Sequence, residues 1–247
     1  MSGHLNFDEI GKMICKVGDK RTLYLSDRPV EDGVNEFKVK GDFCVQHIPD
    51  KNTERSVLYS TGMSGSGKSH QAKLYIEQYH KMFPKNEVFM FSSLAEDETL
   101  DKLKYMKRIK IKETPFLSAD LDTAVFAKSL CIFDDCDVIS QKQTKLKVFT
   151  LLNSFLETGR HFGISVYMTT HNATMGLDTK RILNECHSVT LFPRNLGGKT
   201  SKYLLDGYLG LGPEQIRRIK NCPSRWVTII KSYPQMCISE KEAWVIN

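Results

Sequence analysis

The stretch Gly62-Met-Ser-Gly-Ser-Gly67-Lys68-Ser69 constrains this chain more than any other. It fits the phosphate-loop pattern, with four residues between the first glycine and a Gly-Lys-Ser end. Val57, Leu58 and Tyr59 precede it as a short apolar, β-favouring run. Ala72, Tyr75, Ile76, Tyr79 and Phe83 follow at helical spacing, and Pro84 stops the helix. A glycine-rich turn between strand and helix lets successive backbone N–H groups face a polyphosphate, and the helix start adds the positive end of its dipole. Gly62, Met63, Ser64, Gly65, Ser66, Gly67, Lys68, Ser69 and His70 are therefore expected to surround a nucleoside triphosphate. Lys68 would reach the β- and γ-phosphates, and the Ser69 hydroxyl would hold Mg²⁺. A surface turn rich in Gly and Ser could match by chance, but it would have no reason to join a strand to a helix.

Downstream, Glu87–Ser92 reads as a buried strand. Lys102–Lys112 is strongly basic, and Arg108-Ile-Lys-Ile-Lys112 alternates like an edge strand with Arg108, Lys110 and Lys112 on one face. Such a face is either a solvated edge that discourages aggregation or a contact surface for a phosphate backbone. Leu130-Cys-Ile-Phe-Asp134-Asp135 is an apolar strand ending in two carboxylates. Parallel α/β sheets bring ligands to the carboxyl ends of their strands, so these acids are expected to converge on the phosphate loop. Asp134 would help hold Mg²⁺, and Asp135 would orient the attacking water.

Val148, Leu151, Leu152, Phe155 and Leu156 mark an amphipathic helix that Gly159 ends. The helix starts at the carboxyl edge of the sheet and runs back, which places Arg160 at the far edge from its own phosphate loop. Arg160 would then either cap its helix or act on a neighbouring copy's nucleotide. The strand Ile164–Thr169 follows and ends in Thr170-His171-Asn172, a polar set expected near the γ-phosphate. Ser188–Phe192 is a fifth strand.

The flanks are less informative. Thr22–Leu25 and Phe37–Ile48 have strand character, so residues 1–54 read as a small β extension. Residues 55–193 form the core, and 194–247 an α+β appendage with a helix over Lys199–Tyr208. A basic helix over Pro213–Lys220 and strands at Arg225–Ile230 and Ala243–Ile246 complete it. Arg217, Arg218 and Lys220 read as a solvated helix face, with DNA contact as the lesser alternative. A charge of +6 permits an anionic partner without requiring one. Seven cysteines, an odd number with no C-x-x-C pair, suggest reduced thiols and no zinc framework. The N-terminus lacks an apolar signal core, and no run is long enough to span a bilayer.

The region from about Arg55 to Pro193 resembles the FtsK/HerA superfamily of P-loop ATPases, and more closely the genome-packaging ATPases of large DNA viruses, of the poxvirus and virophage type. Gly62–Ser69, Ile132-Phe-Asp-Asp135 and Gly159-Arg-His161 before Ile164-Ser-Val-Tyr carry the resemblance, and Ser224–Ile230 also looks similar. It implies a three-layer α/β sandwich with a mainly parallel sheet of the additional-strand class, order 5-1-4-3-2. It also implies an oligomeric, Mg²⁺-dependent ATPase that moves double-stranded DNA into a capsid. Such a protein would meet capsid or portal-vertex proteins in the host cytoplasm, a viral factory or the virion. The resemblance places an arginine finger at Arg160. The family usually carries glutamine where this chain has His171, so Thr170, His171 and Asn172 all remain candidates for the γ-phosphate sensor. A non-viral DNA motor or helicase would use the same core. A nucleotide kinase would need an Arg-rich lid that is not evident. A non-hydrolysing scaffold would not need Lys68, Ser69, Asp134 and Asp135 together.

Overall fold

A computed structural model describes residues 3–174 and 176–246. The chain forms two compact units: Glu54–Cys186, and a second that joins the segment up to Thr53 to the segment from His187 onward.

The N-terminal segment supplies β1 (His4–Asn6), β2 (Lys12–Val17), β3 (Arg21–Ser26), β4 (Glu36–Lys38) and β5 (Val45–His47). The single strand expected over Phe37–Ile48 is thus two. Gly41 sits between them at φ +71°, a left-handed conformation that a continuous strand cannot contain.

The central unit holds β6 (Val57–Thr61), α1 (Lys68–Met82), β7 (Glu87–Ser92), β8 (Met106–Ile109), α2 (Thr114–Ser118), β9 (Ser129–Asp134), α3 (Lys142–Thr158), β10 (Ser165–Thr170) and α4 (Leu177–Glu185). Its strands run parallel in the order β6-β10-β9-β7-β8. Counted from the phosphate-loop strand, the first four stand in the expected order 1-4-3-2.

Period-two alternation gives this sheet two apolar faces. Leu58, Met90, Ile132 and Tyr167 meet Ala72, Tyr75, Ile76 and Tyr79 of α1. On the other face, Phe91 stacks on Phe133, and Phe133 and Phe126 meet Phe155 of α3 edge-on. Helix, sheet and helix therefore form three layers. Each large side chain so buried contributes about 1.5–3 kcal/mol.

One expectation fails here. β8 ends at Ile109, and the Glu113 N–H bonds the Lys110 carbonyl at 3.1 Å to close a turn. Arg108, Lys110 and Lys112 therefore do not share a strand face.

The C-terminal segment adds β11 (Ser188–Leu191), α5 (Gly198–Tyr203), α6 (Pro213–Asn221), β12 (Val227–Ile230), β13 (Met236–Ser239) and β14 (Glu242–Val245). The helix expected through Tyr208 changes after Tyr203 to one π-helical turn, Leu204–Tyr208. In this unit β4-β14-β13-β12-β11 are antiparallel neighbours, and β1-β3-β2-β5 form a second antiparallel sheet. Leu5, Leu23, Leu25, Trp226, Ile238 and Val245 lie in their shared core. The Arg218 guanidinium lies over the Trp244 ring, 4.2 Å from its centre, and pairs with Glu36 and Glu242, so it is not simply solvated. All seven cysteines are free thiols, and only Cys44 is exposed. Among the described residues, no helix is long and apolar enough to cross a membrane.

Candidate active site

The site is built where β6 gives way to α1. β6 is buried throughout, and the chain then turns through the glycines into a fifteen-residue helix. Gly67 occupies the N-cap position at φ 107°, and Gly65 has φ 73°. A side chain at Gly65 would meet nothing within 4 Å, so that glycine answers to backbone conformation and not to crowding. Met63, Ser64, Gly65 and His70 are exposed, whereas Lys68 is buried. The Lys68 ammonium donates to the carbonyls of Gly62 and Met63, at 2.9 and 3.4 Å, and lies 3.7 Å from Asp135 Oδ1. The Ser66 hydroxyl is buried with no protein partner.

Two strand ends close on this loop. The Gly62 N–H bonds the Thr170 carbonyl at 3.1 Å, which fixes the end of β10 beside the loop's first glycine. At the end of β9, Asp134 is almost fully buried and accepts from Ser92 Oγ at 3.1 Å and Thr169 Oγ1 at 2.9 Å. Burial, reinforced by the charge of Asp135, pushes its pKa up to about 6 against those two hydrogen bonds. Asp97 adds a smaller push in the same direction.

Asp135 adopts φ 46°, ψ 35°, a strained left-handed conformation that Asp tolerates better than most residues. Its surroundings hold it there. The N–H donates to Thr169 Oγ1 at 3.0 Å, Oδ2 lies 3.0 Å from His171 Nε2, and Oδ1 faces Lys68. The His171 N–H donates to Asp137 Oδ2 at 3.0 Å, which anchors the loop after β10.

The polar set after β10 separates into distinct environments. Thr170 Oγ1 lies 2.7 Å from Tyr59 Oη and bonds the Asn172 carbonyl at 2.9 Å, so this side chain is committed to the interior. Asn172 is exposed. Only His171 of the three touches Asp135.

The expected metal ligands are hard oxygens, the kind that suits Mg²⁺. Ser69 Oγ begins α1 and Asp134 ends β9, and a nearby cation would favour the charged form of a carboxylate that burial alone disfavours. These residues fit the ion. Asp97, which sequence reasoning did not single out, lies beside them, because Ser69 Oγ donates to its Oδ2 at 3.2 Å. Its only signal in the sequence is its place shortly after a strand's carboxyl end, the edge where ligands bind.

Arg160 is elsewhere. It follows the C-cap of α3 and precedes β10, whose far end touches the phosphate loop. Six strand residues at about 3.3 Å each separate the two edges by roughly 20 Å. Arg160 is exposed and paired with Glu54. The expected alternative, that Arg160 caps its helix, is met by a different residue. Arg55 donates to the Phe155 and Leu156 carbonyls at 2.5 and 2.8 Å.

Of the basic stretch, Arg108 is held by Asp101 at 2.6 and 3.1 Å and by the Leu94 carbonyl at 2.9 Å. Lys110 pairs with Glu113 at 3.0 Å, and Lys112 is exposed.

No protein-family model matches the chain. A protein of Sputnik virophage, described as uncharacterized protein V3, is 38% identical over 251 residues, which cover 98% of this chain and 99% of V3. The chain belongs to the virophage V3 family. Among solved structures, this V3-family chain is similar to the genome-packaging NTPase B204 of Sulfolobus turreted icosahedral virus 2 in complex with ATPγS. The TM-score is 0.55 at 14% identity, over 76% of this chain and 98% of B204. It is also similar to the conjugation coupling protein TcpA of pCW3, with a TM-score of 0.54 at 11% identity over 93% of this chain and 76% of TcpA. The fold is thus shared with the genome-packaging NTPase B204 and with TcpA, an α/β fold with a mainly parallel sheet beside the phosphate loop, as the sequence resemblance implied.

Proposed function

We propose that this protein is a Mg²⁺-dependent ATPase whose turnover drives double-stranded DNA into a viral capsid. The observation that carries the proposal is the convergence of Lys68, Asp135 and His171 at the mouth of the phosphate loop, beside buried Asp134. The loop N–H groups of Gly62–His70 cradle the phosphates, and Lys68 moves from the loop carbonyls to the β- and γ-phosphate oxygens. Ser69 and Asp134 would hold Mg²⁺, which would supply neutralisation of the phosphate charge when bound. Asp135 accepts a proton from the attacking water and orients it. His171, bonded to Asp135, senses the γ-phosphate in place of the family's glutamine.

Arg160 acts in trans. At about 20 Å from its own loop it serves a neighbouring copy, so the working form is a homo-oligomeric ring. Double-stranded DNA is held through phosphates, with Lys110 and Lys112 as exposed contacts and Arg108 acting only through the β7–β8 loop it braces. Capsid or portal-vertex proteins complete the motor in the viral factory or virion, in a reducing compartment.

ATP turnover is measured alone, with double-stranded DNA, and with nucleoside acceptors. DNA stimulation is expected. A phosphorylated acceptor would make the protein a kinase, and absence of turnover would make it a nucleotide-gated scaffold.

A further inference from the structure

The loop between β7 and β8 carries an acid that neither the phosphate loop nor the Asp134-Asp135 pair accounts for. Asp97 is fixed from three sides. Its Oδ1 accepts the Thr99 and Leu100 N–H groups at 2.8 and 2.7 Å, and its own N–H donates to Asp101 Oδ2 at 2.8 Å. The remaining oxygen, Oδ2, receives the Ser69 hydroxyl at 3.2 Å. Asp101 is itself held by the Arg108 fork, and Arg108 also donates to the Leu94 carbonyl in the same loop.

A serine that binds a cation does so through an oxygen lone pair. Its proton must then go to an acceptor on the other side, or it points at the ion's charge. We propose that Asp97 is the positioning residue for metal binding at Ser69: it takes the hydroxyl proton and so turns the Ser69 lone pairs toward Mg²⁺. This rests on the ATPase reading above. The chain Arg108–Asp101–Asp97–Ser69 then gives the edge strand a structural role in the nucleotide site, which accounts for an arginine that is too well held to search for DNA. Ser93 Oγ, buried in the same loop without a protein partner, adds one more oxygen to this neighbourhood.

The test uses the full chain with AMPPCP as nucleotide and Mn²⁺ as the metal probe, read by electron paramagnetic resonance. Calorimetry in chelator gives the metal-free AMPPCP affinity. Asp97→Asn keeps an oxygen for the Thr99 and Leu100 N–H groups, so the loop keeps its cap while the charge is lost. Mn²⁺ affinity is expected to fall about 10- to 100-fold, as for other partners of metal ligands, with metal-free AMPPCP affinity unchanged. Arg108→Gln should lower Mn²⁺ affinity less, in the same direction. Unchanged Mn²⁺ affinity in Asp97→Asn overturns the inference. So does an equal loss of metal-free AMPPCP binding, which would mean that Asp97 only holds the loop. If the wild type itself binds AMPPCP with no metal dependence, the ATPase reading fails and the inference falls with it.

Discussion

Arg160 offers the sharpest test of the proposed function, because its position is far from its own phosphate loop. It lies at the amino edge of a sheet whose carboxyl edge carries Gly62–Ser69, and β10 alone spans roughly 20 Å between them. An extended arginine reaches about a third of that. Arg160 is 70% exposed, and it lies with Glu54, Lys128 and His161 along an open groove of about 670 Å³. Arg160→Ala should therefore leave folding almost intact, since exposed ion pairs add little. Arg55→Ala is the contrasting control. It strips two hydrogen bonds from the end of α3; the Phe155 carbonyl keeps the Gly159 N–H at 3.0 Å, and a Leu156 carbonyl left unsatisfied costs about 1–3 kcal/mol.

Turnover in Arg160→Ala should drop on the order of 10³- to 10⁵-fold, the range known for arginine fingers. Lys68→Ala should be similarly inactive. Mixed one to one, the two variants form heterologous interfaces of which roughly one in four pairs an intact Lys68 site with an intact Arg160. Activity should recover toward about a quarter of the wild-type value if sites fire independently, and less if firing is coordinated around a ring. ATPase rates are followed against mixing ratio, with mixed assembly verified by differently tagged subunits. A mixture no more active than the sum of its parts would refute the trans assignment.

Asp135→Asn should retain AMPPCP binding and lose hydrolysis, whereas Asp134→Asn should raise the Mg²⁺ concentration needed for half-maximal turnover; equal turnover in Asp135→Asn and wild type removes Asp135 from the mechanism. Asp134 also sets a pH dependence. Its folded pKa, about 6, stands above the ordinary aspartate value, so the folded state binds the extra proton between about pH 4 and 6. Metal-free wild type should lose stability relative to Asp134→Asn as pH rises through that window, and parallel urea midpoints at pH 4.5 and 7.5 would contradict it. Replacing Lys110 and Lys112 by alanine should flatten the log-log salt dependence of DNA binding by up to about one unit per contact, while Arg108→Gln should leave the slope unchanged. A slope that follows Arg108 instead would return that residue to the DNA surface.

What the sequence displays and what it conceals divide along the reach of the interactions. Gly62–Ser69 is legible because its chemistry is local: a strand, a glycine turn and a lysine at fixed spacing suffice. Asp134 and Asp135 are legible because an apolar strand must end at the ligand edge. Asp97 carries only the fainter mark of following the end of β7 at a distance of a few residues. Its role depends on the fold bringing a loop after β7 against the first turn of α1, and its cap bonds to Thr99 and Leu100 look like those of any turn. Which of Thr170, His171 and Asn172 faces Asp135 is equally non-local, since Tyr59 takes the threonine hydroxyl and His171 pairs with the carboxylate. Arg108 deceives for the opposite reason. Alternating cations imply a free face, but the chain turns at Lys110, and an acid seven residues earlier holds the guanidinium. β13 gives no sequence signal strong enough to stand out, because Met236-Cys-Ile-Ser239 is short and becomes a strand through pairing with β12 and β14.

The division of the chain into a continuous central unit and one assembled from both ends also sets an order of events on the ribosome. Glu54–Cys186 can complete its contacts as soon as it emerges. The segment before it cannot, because the strands and apolar side chains that finish its unit lie beyond His187. At ordinary elongation rates that wait is roughly ten to forty seconds. During it Leu5, Leu23 and Leu25 have no Trp226, Ile238 or Val245 to cover them, and the β2–β3 hairpin is the longest pairing the early segment can make alone. Truncation near the C-terminus should therefore damage the beginning of the protein before it damages the nucleotide site.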